Sequence, residues 1–120
     1  MVFPQMYNSW STVETTAAAS AYWKAMTTKQ SFLLSQGLGA PPPGAPYTVG
    51  FNQSRLLLGF PSDKSAASSG YIDPHEIVND VLSSNKGMVG VMTWSIGWDS
   101  TNEWNFGNVM AKYFGLPHSL

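Results

Sequence analysis

Three clusters of polar and aromatic residues follow apolar runs in the sequence, and their residue types suit sugar recognition. Residues 5–8 are Gln-Met-Tyr-Asn, residues 61–63 are Pro-Ser-Asp, and residues 94–99 are Trp-Ser-Ile-Gly-Trp-Asp. Indole faces stack on the C–H side of a pyranose ring, and amides pair with hydroxyl or acetamido groups. The lack of a glycine-rich phosphate loop disfavours a phosphate ligand. These residues alone leave two alternatives open: a sugar site, or packing of Trp94 and Met92 in a protein interior.

The composition excludes several other kinds of chemistry. The chain has 120 residues, no cysteine, and two isolated histidines, His75 and His118. Disulfides, thiolate catalysis and cysteine-based zinc sites are therefore excluded, and no histidine spacing matches a metal pair or a Ser-His-Asp set. We accordingly predict no metal and no other cofactor.

The distribution of charge disfavours two classes of partner that bind through charge, namely nucleic acids and membranes. Six Lys and Arg against seven Asp and Glu give a formal net charge of −1 and no basic stripe. We therefore expect neither a nucleic acid nor a membrane as a partner. No apolar run approaches the roughly 18 residues of a transmembrane helix, and the first residues show no signal-peptide pattern, so no targeting segment is expected in this chain.

Three apolar segments predict the strands that would position the polar clusters. They cover residues 2–7, 55–60 and 88–96. The second and third are nearly continuous apolar runs, which are typical of parallel strands covered on both faces. Pro4 cannot donate to a strand ladder and weakens the first. Because function in parallel α/β folds lies beyond the carboxyl ends of the strands, we expect the three clusters at one edge of the sheet.

A helical pattern follows each predicted strand. The first covers about residues 13–34, which are rich in good helix formers. The second begins at Asp73, followed by Pro74 at the first helical position, and closes at Gly87. The third opens at Thr101 or Asn102.

The order of these elements predicts an α/β fold with parallel strands and right-handed crossovers. Gly115 and Pro117 end the last helix. Residues 37–53 form a Pro- and Gly-rich loop insertion, for which a functional surface loop and a spacer remain equal alternatives.

Four motifs, in their order along the chain, resemble the last three strand–helix units of a family 18 glycoside hydrolase. They are residues 5–8, residues 57–61 (Leu-Leu-Gly-Phe-Pro), residues 68–71 (Ser-Ser-Gly-Tyr) and residues 90–99 (Gly-Val-Met-Thr-Trp-Ser-Ile-Gly-Trp-Asp). More narrowly, they are similar to bacterial D-type chitinases and their plant relatives. The resemblance covers essentially the whole chain. It implies that residues 1–120 are the C-terminal part of a catalytic TIM barrel, with strands 6 to 8 of a fold that needs about 250 residues.

The resemblance implies an enzyme whose catalytic acid is missing from this sequence. The family signature D-x-x-D-x-D-x-E is absent, since no Asp or Glu precedes Glu14 and no later acids match the spacing. The family hydrolyses β-1,4 N-acetylglucosamine linkages in chitin by a retaining mechanism in which the substrate's own N-acetyl oxygen attacks the anomeric carbon. The complete barrel would do this chemistry, and the chain alone is expected to be inactive.

The same resemblance implies roles for four residues of the chain. Tyr7 would be catalytic and would bind substrate, donating its hydroxyl to the N-acetyl carbonyl. Gln5 and Asn8 would hydrogen-bond the sugar, and Trp94 would form the floor beneath it. The peptide after this tryptophan is commonly cis in the family. For Gln5, a purely structural amide that links strands remains an alternative.

Other candidate residues have structural interpretations. Asp63 and Asp99 are expected to cap loops, with Asp99 preceding the last helix, and Met6 is expected to pack between strand and helix. Trp98 and Trp104 would either extend the sugar platform or cover the end of the fold. Further residues with a packing or solvent-exposed role are Trp10, Trp23 and His75.

A second interpretation is a non-catalytic module. The chain would then bind chitin or oligosaccharide weakly, or form a truncated half-barrel. Its partners would be chitin or a chitooligosaccharide and the missing N-terminal barrel portion, or a second copy of the fragment. Exposed strand edges would favour such association. We expect the parent protein to be secreted.

Overall fold

The computed structural model describes residues 1–9, 12–32, 46 and 48–117. The α-helices are α1 (Thr16–Thr27), α2 (Pro74–Glu76), α3 (Ile96–Thr101) and α4 (Asn105–Phe114), and the strands are β1 (Gly59–Pro61) and β2 (Met92–Trp94). α2 continues directly as a π-helix, Ile77–Leu82, and short 3-10 helices cover Gln53–Arg55 and Lys64–Ala66.

The strands run parallel, as the sequence predicts. β1 pairs with β2, with Gly59 opposite Met92 and Pro61 opposite Trp94. On the other side of β1, the N-terminal segment is joined by parallel bridges at Val2 and Gln5. The order of the parallel backbones is therefore N-terminal segment, β1, β2. The predicted mixed α/β fold is confirmed, although each strand is shorter than the apolar run that predicts it.

Side chains of the central strand alternate between two faces. Leu56, Leu58 and Phe60 are fully buried on the face that packs against the helices. The other face carries Phe3 on the N-terminal segment, which is 49% exposed, and Trp94 on β2, which is 55% exposed. The expectation that the third run is covered on both faces is therefore wrong for β2. This face, which we call the open face, is accessible to solvent at the two outer strands, whereas Gly59 and Pro61 of β1 are buried between them.

One hydrophobic core lies between the sheet and the helices. Met6 and Trp23 are both buried within it, so the packing roles expected for them are confirmed. The remaining core residues are Val13, Ala19, Met26, Leu56, Leu58, Phe60, Ile72, Ile77, Val81, Leu82, Met88, Phe106 and Met110.

Helix α1 is shorter than its predicted span. It begins after Thr15, whose side chain accepts a hydrogen bond from the amide of Ala18. At the other end, the hydroxyl of Thr28 donates to the carbonyl oxygen of Lys24 at 2.6 Å, and Lys29 has a φ of 56°. Threonine hydroxyls compete for helix carbonyls, and a left-handed residue ends the helical path, so composition alone overestimates the length.

The start of the second helix is predicted correctly and its end is not. Asp73 accepts a hydrogen bond from the amide of His75 at 2.8 Å, and Pro74 occupies the first turn. The helical path ends at Leu82 rather than near Gly87. The backbone amide of Ser83 closes the last turn by donating to the carbonyl oxygen of Val78 at 3.0 Å, and the hydroxyl of Ser83 donates to the same oxygen at 2.7 Å. A local side-chain bond of this kind is common where a helix ends.

Two features of the third unit differ from the prediction. A short helix, α3, occupies Ile96–Thr101, where a strand end and a loop were expected. The last helix therefore begins later, at Asn105, and Gly115 ends it with a φ of 71°. The expected end of this helix is confirmed.

Parts of the predicted loop insertion and two single residues fall outside the described residues. These are residues 37–45 and 47, Trp10, and His118. Within the described ranges, residues 48–52 form neither helix nor strand, and Gln53 begins a 3-10 helix. No helix in the part that the structure describes has the length and apolar character needed to span a membrane.

Candidate functional site

The parallel register brings two of the predicted site residues to the same level of the sheet. Gln5 is bridged to Gly59, so Tyr7, two residues further along, lies level with Pro61. Pro61 is in turn opposite Trp94. Since neighbouring strands are about 4.8 Å apart, the Tyr7 and Trp94 backbones are separated by about 10 Å, with β1 between them. The expectation that the first and third clusters lie at one sheet edge agrees with this register.

Tyr7 has a buried ring and an accessible hydroxyl. The residue is 6% exposed, and burial raises the pKa of its phenol above 10.0. Trp23 Nε1 is the one fully buried side-chain polar atom without a partner among the described residues, so the unbonded Tyr7 hydroxyl must reach solvent. It is a protonated donor at neutral pH.

Gly70 packs directly against the backbone of Tyr7. A Cβ on Gly70 would lie 2.5 Å from the carbonyl oxygen of Met6 and 2.8 Å from Tyr7 Cα, and its φ is +86°. The Gly70 amide donates to Glu14 Oε1 at 3.0 Å. Only glycine has both the small size and the left-handed freedom that this contact requires.

Asn8 is held by the loop that contains Gly70. Its Oδ1 accepts hydrogen bonds from the hydroxyls of Ser68 at 2.8 Å and Ser69 at 3.0 Å. The backbone amide of Asn8 donates to Ser69 Oγ at 3.0 Å. Asn8 itself is exposed and has a φ of 44°.

The side chain of Gln5 makes a hydrogen bond to a residue close to it in sequence. Its Nε2 donates to the carbonyl oxygen of Tyr7 at 2.8 Å. This bond lies within the N-terminal segment and shapes the turn that carries Tyr7 and Asn8. The bond agrees with a structural contribution from the Gln5 amide and leaves its role toward a sugar a prediction.

Trp94 presents an exposed indole at the end of β2, and its backbone is held from β1. The Trp94–Ser95 peptide bond is cis, as the family resemblance implies. The buried hydroxyl of Ser62 lies 3.1 Å from both the Trp94 and the Ser95 carbonyl oxygens, and it accepts from the Ser95 amide at 3.1 Å. Sequence reasoning placed Ser62 in a strand-end cluster and gave it no role, because its partners lie more than 30 residues away.

The two aspartates near the strand ends act as caps. Asp63 accepts a hydrogen bond from the amide of Ser65 at 3.0 Å. Asp99 is buried, and its two carboxylate oxygens accept from the amides of Phe106 and Gly107, each at 2.9 Å. The capping roles predicted for both are confirmed, and Asp99 caps α4 from within α3.

Two further tryptophans are accessible, Trp98 within α3 and Trp104 just before α4. Trp98 is 39% exposed and Trp104 is 46% exposed. Whether they belong to a sugar platform stays a prediction. His75 is exposed, with Nδ1 at 3.2 Å from an Asp73 carboxylate oxygen.

The chemistry available here is binding and orientation. Three carboxylates near the strand ends, those of Glu14, Asp63 and Asp99, each accept from a backbone amide. The described residues contain no group of three or more His, Asp or Glu side chains that could hold a metal. The arrangement offers a phenol donor, an amide and an indole face to a polyhydroxylated ligand.

Comparisons with known proteins concern the fold. No family model matches the sequence, and no curated protein matches it either. Among solved structures, a family GH18 chitinase from Chromobacterium violaceum aligns with a TM-score of 0.67 and 20% identity over 92% of this chain. A xylanase and α-amylase inhibitor protein from Scadoxus multiflorus aligns with a TM-score of 0.59 and 20% identity over 97% of this chain. The chain spans 34% of the chitinase and 35% of the inhibitor. It therefore folds like about one third of a family GH18 chitinase chain.

Proposed function

We propose that the chain is the substrate-holding, C-terminal part of a chitinase barrel, and that its three parallel strands are strands 6 to 8. One observation carries the proposal. The hydroxyl of Tyr7, which has no partner among the described residues, and the exposed indole of Trp94 lie at the same level of one sheet face, on either side of Pro61. A phenol donor opposite an apolar platform suits an N-acetylated sugar ring, which has a carbonyl acceptor and an apolar C–H face.

In the proposed mechanism, residues 1–120 orient the bound sugar, and the remaining part of the barrel donates the proton. The N-acetyl oxygen of the bound sugar attacks the anomeric carbon while an acid on the remaining barrel protonates the leaving oxygen. Tyr7 donates its hydroxyl to the N-acetyl carbonyl and aligns it for attack. Asn8 and Gln5 hydrogen-bond the sugar, and Trp94 supports it from below. The substrate is β-1,4-linked N-acetylglucosamine polymer or oligomer.

The proposal extends to the wider protein. The parent enzyme would be a secreted, D-type chitinase, and residues 1–120 would form one unit with residues 37–53 as a loop insertion. The partner that completes the site is the N-terminal barrel portion. The exposed fractions of Phe3 and Trp94 support it, since the open face would become the covered interior of the barrel.

The experiment measures binding of chitooligosaccharides to the full chain by calorimetry and tryptophan fluorescence. We expect weak binding that Trp94→Ala and Tyr7→Phe both reduce, and no release of chitobiose. Asn79→Ala is the control, because Asn79 is exposed on the π-helix, away from the strand ends. Release of chitobiose that Tyr7→Phe leaves unchanged would contradict both the mechanism and the assigned site.

A second candidate function is a non-catalytic binding module. Two observations favour it: the three carboxylates at the strand ends all cap backbone amides, and an inhibitor protein shares the fold. The coding DNA upstream of Met1 distinguishes the two. An in-frame D-x-x-D-x-D-x-E motif supports the enzyme, and a stop codon close upstream supports the binding module.

A further inference from the structure

We infer that Ser68 and Ser69 are positioning residues that fix the polarity of the Asn8 side chain, so that Asn8 recognises an acceptor oxygen on the ligand. The inference rests on the proposed sugar site and specifies one of its contacts. Residues 68–71 belong to the motifs that resemble the chitinase family, but no role follows for the two serines from the sequence.

The hydrogen bonds around Asn8 use its amide oxygen fully. Oδ1 accepts from Ser68 Oγ at 2.8 Å and from Ser69 Oγ at 3.0 Å. A carbonyl oxygen has two lone pairs, so these two bonds leave it no capacity for a ligand donor. Ser69 Oγ also accepts from the Asn8 backbone amide at 3.0 Å, which directs the serine proton toward Oδ1.

The opposite end of the side chain is free. No group in the described part of the chain accepts a hydrogen bond from Asn8 Nδ2, and Asn8 is exposed. The two N–H donors therefore remain for a ligand. An amide held in this orientation binds hydroxyl or carbonyl oxygens and disfavours an ammonium group at the same position.

The serine loop is itself held in place. The Gly70 amide donates to Glu14 Oε1 at 3.0 Å, and a Cβ on Gly70 would lie 2.8 Å from Tyr7 Cα. The loop is therefore packed on the same turn that carries Tyr7 and Asn8. Removing the serine hydroxyls frees the amide to rotate without moving the loop.

The first test compares two kinds of variant by chitooligosaccharide binding to the full chain. Asn8→Asp keeps an acceptor for both serines and replaces the amide donor with a carboxylate oxygen. We expect it to weaken binding about 10-fold or more, because the donor bond to the ligand is lost and two acceptors face each other. Unchanged affinity in Asn8→Asp would overturn the inference.

The second test addresses the serines. The double variant Ser68→Ala/Ser69→Ala should weaken binding roughly 3- to 10-fold, and Ser68→Thr/Ser69→Thr, which restores the hydroxyls, should recover most of it. Ser65→Ala is the matched control, since this exposed serine lies in the preceding 3-10 helix and its hydroxyl does not contact Asn8.

A third readout does not depend on binding. In a ¹⁵N–¹H spectrum, the Asn8 side-chain amide should give two well-separated signals in the wild type, and these should move to the averaged positions of a free amide in the double alanine variant. If the wild type binds no chitooligosaccharide, the proposed function fails, and this spectrum alone decides the positioning role. Unchanged Asn8 signals in the double alanine variant would overturn it.

Discussion

At the scale of single residues, the proposed site consists of residues that are each held on one side and accessible on the other. Tyr7 has a buried ring and a hydroxyl without a partner in the described part of the chain. Asn8 has a bonded oxygen and a free nitrogen. Trp94 has a backbone held by Ser62 and a half-exposed indole. Such groups are oriented before a ligand arrives, which lowers the entropy cost of binding.

The first prediction concerns the phenol of Tyr7. Burial raises its pKa above 10.0, so the hydroxyl stays protonated and able to donate throughout the neutral range. Since the folded pKa exceeds the unfolded value, the stabilisation by neutral Tyr7 is complete below about pH 10 and is lost as pH rises through the folded pKa. Absorbance of tyrosinate in the wild type and in Tyr7→Phe gives the difference titration.

The salt dependence of the Tyr71 pKa serves as a comparison for that of Tyr7. The pKa of Tyr71 is raised first by burial and then by the charges of Asp73, Asp63 and Glu76. Added salt should lower the pKa of Tyr71 by screening those carboxylates and should leave that of Tyr7 nearly unchanged. A tyrosinate that forms below pH 10 and disappears in Tyr7→Phe would contradict the prediction.

The second prediction concerns Ser62. Ser62→Ala removes a buried hydroxyl that contacts the Trp94 carbonyl and both backbone polar groups of Ser95. We expect a loss of about 1–3 kcal/mol in the free energy of unfolding, together with a shift in the emission of Trp94. Urea unfolding monitored by fluorescence measures both.

Ser100→Ala is the control for Ser62→Ala. The Ser100 hydroxyl also donates to a carbonyl oxygen, that of Gly97 at 2.7 Å, but Ser100 is exposed. Its removal should cost less than about 0.5 kcal/mol, because water replaces the bond. Equal losses in the two variants would show that burial of Ser62 carries no stability.

Sequence points to the residues proposed to face a ligand more readily than to the residues that hold them. Tyr7, Asn8 and Trp94 stand in short contiguous motifs, so their types and order are visible directly. Ser68 and Ser69 are about 60 residues from Asn8, and Ser62 is 32 residues from Trp94. Contacts over such distances depend on the parallel register, which no local pattern determines.

At the scale of elements, helix boundaries marked by a strong local signal are predictable, namely an Asp cap followed by Pro, or a Gly at the end. Asp73 with Pro74 starts α2, and Gly115 ends α4. The sequence does not predict helix α3, because Gly97 lowers its helix propensity and Ile96 is 76% exposed, so the segment shows no amphipathic pattern. The strand lengths were overestimated because apolar runs continue beyond the paired residues.

The third prediction concerns the junction of α3 and α4. Asp99→Ala removes both acceptors of the amides of Phe106 and Gly107, so a buried and a partly buried donor at the start of α4 lose their partners. We expect a loss of about 2 kcal/mol in stability, and about half of that for Asp99→Asn, which retains one acceptor oxygen. Thermal unfolding followed by circular dichroism measures the change.

Asp80→Ala is the matched control for Asp99. Asp80 is exposed, and one of its carboxylate oxygens accepts from Thr16 Oγ1 at 3.3 Å. Its loss should change stability by less than about 0.5 kcal/mol. If Asp99→Ala is as mild as Asp80→Ala, the carboxylate does not stabilise the start of α4.

At the scale of the whole molecule, helices cover one face of the sheet, and the other face is accessible at its two outer strands, while Gly59 and Pro61 of β1 are buried there. On the accessible face, Phe3 is 49% exposed and Trp94 is 55% exposed. Large accessible apolar surfaces are uncommon in stable monomers and mark interaction sites. The parallel α/β class follows from the order of apolar runs, whereas the uncovered face could not be predicted from runs that look covered on both sides.

The fourth prediction concerns association. We expect the isolated chain to self-associate as concentration rises, since burying the open face against a second copy removes apolar surface from water. Sedimentation velocity over a concentration series measures this, and Phe3→Ser should reduce it. A sharp, concentration-independent unfolding transition of a monomer would contradict the prediction.

The buried indole N–H of Trp23 offers a way to measure how often the folded molecule opens. Its indole Nε1 is sealed inside the core and has no acceptor among the described residues, whereas Trp94, Trp98 and Trp104 are partly exposed. A proton in that position exchanges with deuterium only when the core itself separates, while the other three exchange from the folded state. The exchange rate of the Trp23 indole proton therefore reports how often the whole molecule opens. The faster exchange of the other three indole protons can be measured in the same spectrum for comparison.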